Sequence, residues 1–274
     1  RPAADGLALA GAVGVRLGPD GVVVHHLLVR RAAGPRQCDG HLAWRNGRAR
    51  GAAIFGWARR GAGPAEQPAD LRLPPGTALA VGTDRDTCLF LEMHLEVPTG
   101  WTGTIEPDLL LWPAALGSES PVQVTVAEIA ATSFDPLPPG AADVTVRVHC
   151  SVRRNVVILA VRNHGHSAAA FYETRHFNAS RALMEVIGPF AMAQGGPQVF
   201  EPLEGRVALL AGDSIELACH YNTSDRTEPT VLGPNPAHEE MCNQYFVLKP
   251  ASDASSLSCS TAGHTMVEVA QSLT

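Results

Sequence analysis

Apolar and β-branched residues recur in short runs broken every ten or so positions by Gly, Pro, Asp and Asn, and almost nothing in the chain carries a helical period. Runs with strand character fall at 21–29, 52–58, 88–97, 105–112, 122–129, 144–152, 155–161, 207–210, 215–221 and 241–248. Short strands at that spacing predict an all-β protein of sandwich or barrel type. The segment 114–121, Ala-Ala-Leu-Gly-Ser-Glu-Ser-Pro, is the most linker-like interior stretch and divides the chain into domains over 1–118 and 119–274. An ordinary hairpin loop inside one large domain is the alternative.

The run Val156-Val157-Ile158-Leu159-Ala160-Val161 is apolar enough for a buried strand, and Arg162-Asn163-His164-Gly165-His166 follows it. Side chains two apart on a strand share a face, so Arg162, His164 and His166 are expected to project together. Two imidazoles in register make a nitrogen pair for a transition metal, and a fixed cation beside them suits an anionic part of a substrate. Surface histidines on a half-exposed strand are the plainer reading.

Other runs offer similar groups. His25 and His26 are adjacent at the end of Val22-Val23-Val24, so both reach one ion only if the backbone bulges there. Leu89-Phe90-Leu91-Glu92-Met93-His94 ends in a third imidazole. In Met241-Cys242-Asn243-Gln244-Tyr245 the same two-residue rule puts Met241, Asn243 and Tyr245 on one face and turns Cys242 away, where it can enter a disulfide. A thioether with two imidazoles is a soft donor set that favours Cu(I). The remaining histidines, His41, His149, His176, His220, His238 and His264, are expected on the surface or in loops.

Composition narrows the partners. A net charge of -6 over 274 residues provides no basic field for a phosphate backbone, which excludes nucleic acid as a partner. Six widely spaced cysteines without a CxxC suit three disulfides better than a zinc site. The sequons Asn178-Ala-Ser180 and Asn222-Thr-Ser224 agree with an oxidising, extracytoplasmic compartment. No stretch reaches the length of a membrane span. The chain opens at Arg1 without a signal-like segment, which predicts a mature or trimmed product.

Taken in order, the His25-His26 pair, a strand ending in His94, the His164-x-His166 pair and Met241-Cys242-Asn243-x-Tyr245 resemble the catalytic core of the type II, ascorbate-dependent copper monooxygenases. The likeness runs over 15–259. Its most specific part spans 219–245, including Arg226-Thr227-Glu228 and Glu240-Met241-Cys242-Asn243, and within the family it is most similar to the peptidylglycine α-hydroxylating branch. The resemblance implies two jelly-roll-like antiparallel β-sandwich domains facing each other across a cleft, with one copper ion in each. It assigns His25, His26 and His94 to an electron-storing copper, and His164, His166 and Met241 to the copper that takes dioxygen. Arg162, Asn243 and Tyr245 would hold the C-terminal carboxylate of a peptide ending in glycine, whose α-carbon is hydroxylated with ascorbate as reductant. It pairs Cys219 with Cys242 and Cys150 with Cys259, leaving Cys38 and Cys88 by elimination. Secretion or residence in the secretory-pathway lumen follows, and cleavage of the hydroxylated product would need a lyase domain elsewhere or in a larger assembly. A small amine as substrate, or an extracellular structural domain that keeps copper without turnover, are the alternatives.

Overall fold

The computed structural model describes residues 7–12, 23–33, 44–45, 48–49, 52–59, 71–73, 77–82, 87–97, 99–102, 111–113, 122–131, 133, 135–192, 197–198, 200–233, 235, 238–249, 257–259 and 267–269. Among these there is no helix, and the protein is all-β. Of the strand expected at 105–112, only Leu111–Pro113 is among the described residues. The segment 114–121 and Cys38 fall outside them.

Three larger sheets carry the fold. The first has eight strands, in the order Glu201–Leu209, Val156–His164, Asn243–Lys249, Val122–Ala130, Thr77–Gly82, Leu7–Ala12 and Leu71–Arg72, with Leu111–Pro113 also paired to Leu7–Ala12. The second has six, in the order Leu183–Ala191, Ala169–Phe177, Ser214–Tyr221, Val144–Val152 and Leu257–Cys259, with Val267–Val269 also on Val144–Val152. The third orders Pro197–Gln198, Ala52–Arg59, Val23–Ala33 and Thr87–Glu96. Two pairings cross between the first and second parts of the chain. Val122 and Val124 pair in parallel with Thr77 and Leu79, and Pro197–Gln198 pairs antiparallel with Ala52–Arg59.

The core that positions the site lies between the eight- and six-stranded sheets. Ile129, Ile158, Val161, Phe246 and Leu248 from one side meet Val146, Tyr172, Leu217, Cys219 and Tyr221 from the other, in one continuous buried cluster. Alternation along each strand produces this, since every second side chain turns inward. Each fully buried Leu, Ile or Phe contributes roughly 1.5–3 kcal/mol.

Disulfides join Cys150 to Cys259, which sit opposite each other in register, and Cys219 to Cys242, which link the two layers of the sandwich. Cys88 is also disulfide-bonded. Removing the Cys219–Cys242 bridge by a double Cys→Ala change frees a span of 23 residues. The expected cost is about 3 kcal/mol, read as a lower urea midpoint, with a steeper slope because the denatured chain without the bridge exposes more surface.

Candidate metal centre and anion pocket

Two neighbouring strands of the eight-stranded sheet carry the site. Val156–His164 and Asn243–Lys249 run antiparallel, with Arg162 opposite Tyr245 and His164 opposite Asn243. Continued two residues past the strand ends, that register sets His166 against Met241. The alternate residues turn into the sandwich instead. There Gln244 Nε2 donates to Asn163 Oδ1 at 2.7 Å, and the Thr174 hydroxyl of the facing sheet donates to Gln244 Oε1. Cys242 points the same way into its disulfide. Buried polar pairing of this kind holds the register, because a one-residue slip would turn the site residues into the sandwich and orphan the amides.

Two buried groups then tie the candidate ligands together through their backbones. The Tyr172 hydroxyl lies 2.6 Å from the Met241 carbonyl and 3.2 Å from that of His164, and the Tyr221 hydroxyl donates to the Met241 carbonyl at 2.8 Å. Burial, with Tyr172 and Glu240 nearby, pushes the Tyr221 phenol well above its ordinary range, so it remains a donor. Glu240, fully buried, accepts from the His166 N–H at 2.7 Å and the Ala168 N–H at 2.6 Å, while its Oε2 lies 3.4 Å from the Met241 nitrogen. Tyr172 therefore links His164 to Met241, and Glu240 links His166 to Met241. Gly165 is required between the histidines because a Cβ there would overlap the Tyr172 hydroxyl and come within 2.8 Å of Ala169 Cβ.

The two imidazoles stand nearly perpendicular, at 80°, with ring centroids 5.5 Å apart. His166 Nδ1 is 2.9 Å from the Glu239 carbonyl, which can only accept, so Nδ1 carries the proton. His164 Nδ1 is 2.6 Å from Gln198 Oε1, and the orientation of that amide is set by Gln198 Nε2 donating to the Gly165 carbonyl at 2.7 Å. Both rings thus adopt the tautomer whose Nε2 lone pair can ligate a metal. Among the described residues no group of three His, Cys, Asp or Glu could hold a metal. The Met241 thioether, two residues before the neighbouring strand Asn243–Lys249 and with the Asn243 amide 3.8 Å from its sulfur, is a donor of another kind. The donor chemistry fits a copper ion that cycles through Cu(I).

The other three histidines are placed by their backbones alone, since their side chains are not among the described ones. His26 pairs with His94 across adjacent strands, and the ladder is irregular between Val24 and His26, at His25. A bulge is what adjacent residues need in order to share a side.

Beside the histidine pair is a buried cation. Arg162 is 1% exposed, its Nε donates to the Gln198 carbonyl at 2.9 Å, and its guanidinium sits 4.8 Å from the Tyr245 ring centroid. Tyr245 donates in turn to Glu128 Oε1 at 2.9 Å. Burial lowers the Arg162 pKa, partly offset by Tyr245 and Glu128, yet an arginine stays protonated at neutral pH. Burial, and then Glu128, raises the Tyr245 phenol, so it too keeps its proton. Arg162 Nη1 has no hydrogen-bond partner among the described residues.

Sequence reasoning missed Gln198, Glu240, Tyr172 and Tyr221. Glu240 enters the sequence reading only inside the motif Glu240-Met241-Cys242-Asn243, since one of two adjacent Glu normally reads as solvated, and nothing local marks Gln198. His176 and His220, expected on the surface or in loops, lie on strands. His176 is buried, with Nε2 2.8 Å from Asp213 Oδ2, and His220 stacks on Phe171 at 4.0 Å.

Two imidazoles in ligating tautomers, a thioether and a buried cation are the kinds of groups that a redox-metal site uses. Residues 122–269, more than half of the chain, match the family described as copper type II ascorbate-dependent monooxygenase, C-terminal domain, and the chain belongs to that family. It is similar to DBH-like monooxygenase protein 1 of Homo sapiens, 28% identical over 72% of this chain and 33% of the relative. The Gallus gallus protein of that name is 26% identical over the same shares, and the Mus musculus one 25% identical over 65% and 31%. The chain spans about a third of the length of these relatives.

Proposed function

We propose that this chain hydroxylates the α-carbon of a C-terminal glycine in peptides, with ascorbate as reductant and dioxygen as co-substrate. In this reading His164, His166 and Met241 hold one copper, and His25, His26 and His94 hold a second, in domains over 119–274 and 1–118. Bound copper would supply one-electron chemistry that activates dioxygen. The chain's own work is positioning. Arg162, with Asn243 and Tyr245, anchors the substrate carboxylate and so sets the distance of one C–H bond from the metal.

The observation that carries the reading is the buried Arg162 guanidinium, whose Nη1 has no hydrogen-bond partner among the described residues, on the same face as His164. A buried charge is costly unless paired, and a substrate carboxylate would complete the pairing. A small amine is the second reading, favoured by the likeness to DBH-like monooxygenase protein 1 and by the Glu128 carboxylate beside Tyr245. An ammonium group would, however, have to sit near Arg162. The Cys150–Cys259 and Cys219–Cys242 disulfides fit action in an oxidising compartment.

Arg162→Ala is expected to raise KM for a glycine-extended peptide roughly 10- to 100-fold, the loss of one charge-assisted contact, with copper content unchanged. Ascorbate-driven oxygen uptake is measured with peptides ending in Gly or Ala and with a phenethylamine. Turnover of the amine alone removes the peptide reading, and no uptake with any of them removes catalysis altogether.

A further inference from the structure

One buried amide touches both parts of the candidate site. Gln198 is 8% exposed, and its side chain meets His164 Nδ1 through Oε1 and the Gly165 carbonyl through Nε2. Its main-chain carbonyl accepts from Arg162 Nε. The strand that delivers it, Pro197–Gln198, belongs to the four-stranded sheet rather than to the sheet that carries His164 and Arg162. In that four-stranded sheet Gln198 pairs with Ala58, Ala58 with His26, and His26 with His94. One cross-strand row thus leads from the amide on His164 to two of the histidines of the other candidate site. With strands about 4.8 Å apart, its three steps span about 14 Å.

We propose that Gln198 is a positioning residue that holds His164 in its Nδ1–H tautomer and ties that imidazole, together with Arg162, to the sheet bearing His26 and His94. This rests on the reading of His164, His166 and Met241 as copper ligands. The amide cannot rotate to offer its nitrogen to His164, because its Nε2 is committed to the Gly165 carbonyl. Partners that orient a ligand in this way carry about 10- to 100-fold in metal affinity.

The test uses the full chain loaded with copper, as wild type, Gln198→Leu, Gln198→Glu and His164→Ala. Gln198→Leu removes both amide bonds and keeps the carbonyl that holds Arg162. Chelator competition should show Cu(I) affinity falling about 10- to 100-fold at one site only, with the Cu(II) EPR spectrum of that site changed and the other signal intact. KM for a glycine-extended peptide should stay within about threefold. Gln198→Glu keeps an acceptor for the Nδ1 proton but sets a carboxylate oxygen against the Gly165 carbonyl, so affinity should recover in part, to within about tenfold of wild type and above the Leu variant. Wild-type affinity and spectrum in Gln198→Leu overturn the proposal, as does equal loss at both sites in the Leu and Glu variants with a lowered Tm. If His164→Ala leaves copper stoichiometry and EPR unchanged, the ligand reading itself fails.

Discussion

Replacing Glu240 with alanine is expected to destabilise the fold by about 3–5 kcal/mol and, on the proposed ligand assignment, to empty the copper site next to it. The carboxylate is fully buried and accepts the N–H groups of His166 and Ala168. Each buried donor left without a partner costs about 1–3 kcal/mol, more where the lost acceptor was charged, and the cavity adds to that. The segment that loses its anchor carries His166, while Met241 follows Glu240 directly, so both ligands should shift. Urea unfolding measures the first effect and copper stoichiometry the second. Glu240→Gln keeps one acceptor oxygen and should recover part of both. A loss below about 1 kcal/mol in Glu240→Ala would mean that the 166–168 backbone finds other partners, and that Glu240 does not hold the site.

Met241→Ile should separate chemistry from scaffold. The side chains are similar in volume, so the fold should lose less than about 1.5 kcal/mol. The Met241 carbonyl, which accepts from Tyr172 and Tyr221, is unaffected by the change. What disappears is the sulfur donor. On the proposed assignment, ascorbate-driven oxygen uptake is expected to fall by on the order of 100-fold or more, and copper to drop to one ion, at His25, His26 and His94. Retention of full activity would remove the thioether from the ligand set. Loss of both ions together would show that the two sites do not load independently.

The strands that were legible in the sequence are those that carry an unbroken apolar run. Val156–His164 announces itself by Val156 to Val161 and Asn243–Lys249 by Phe246 to Leu248, although Asn163 and Gln244 turn inward beside those runs. Ala169–Phe177 does not, because Thr174 and His176 occupy inward positions and hide the period. Leu183–Ala191 is an edge strand exposed along most of its length, with Gly188-Pro189 inside it, so it lacks both alternation and the usual strand composition.

The site divides along the same line. Arg162 with His164, and Met241 with Asn243 and Tyr245, could be grouped in advance because side chains two apart on a strand share a face, a rule that needs no knowledge of neighbours. The chain by itself also determined the all-β class and the family. Tertiary structure alone decided which groups orient these residues, since Gln198 reaches His164 from 34 positions away and Glu240 reaches His166 from 74. Such contacts depend on which strands become neighbours, and that is settled by burying the faces of whole sheets together, not by any local pattern.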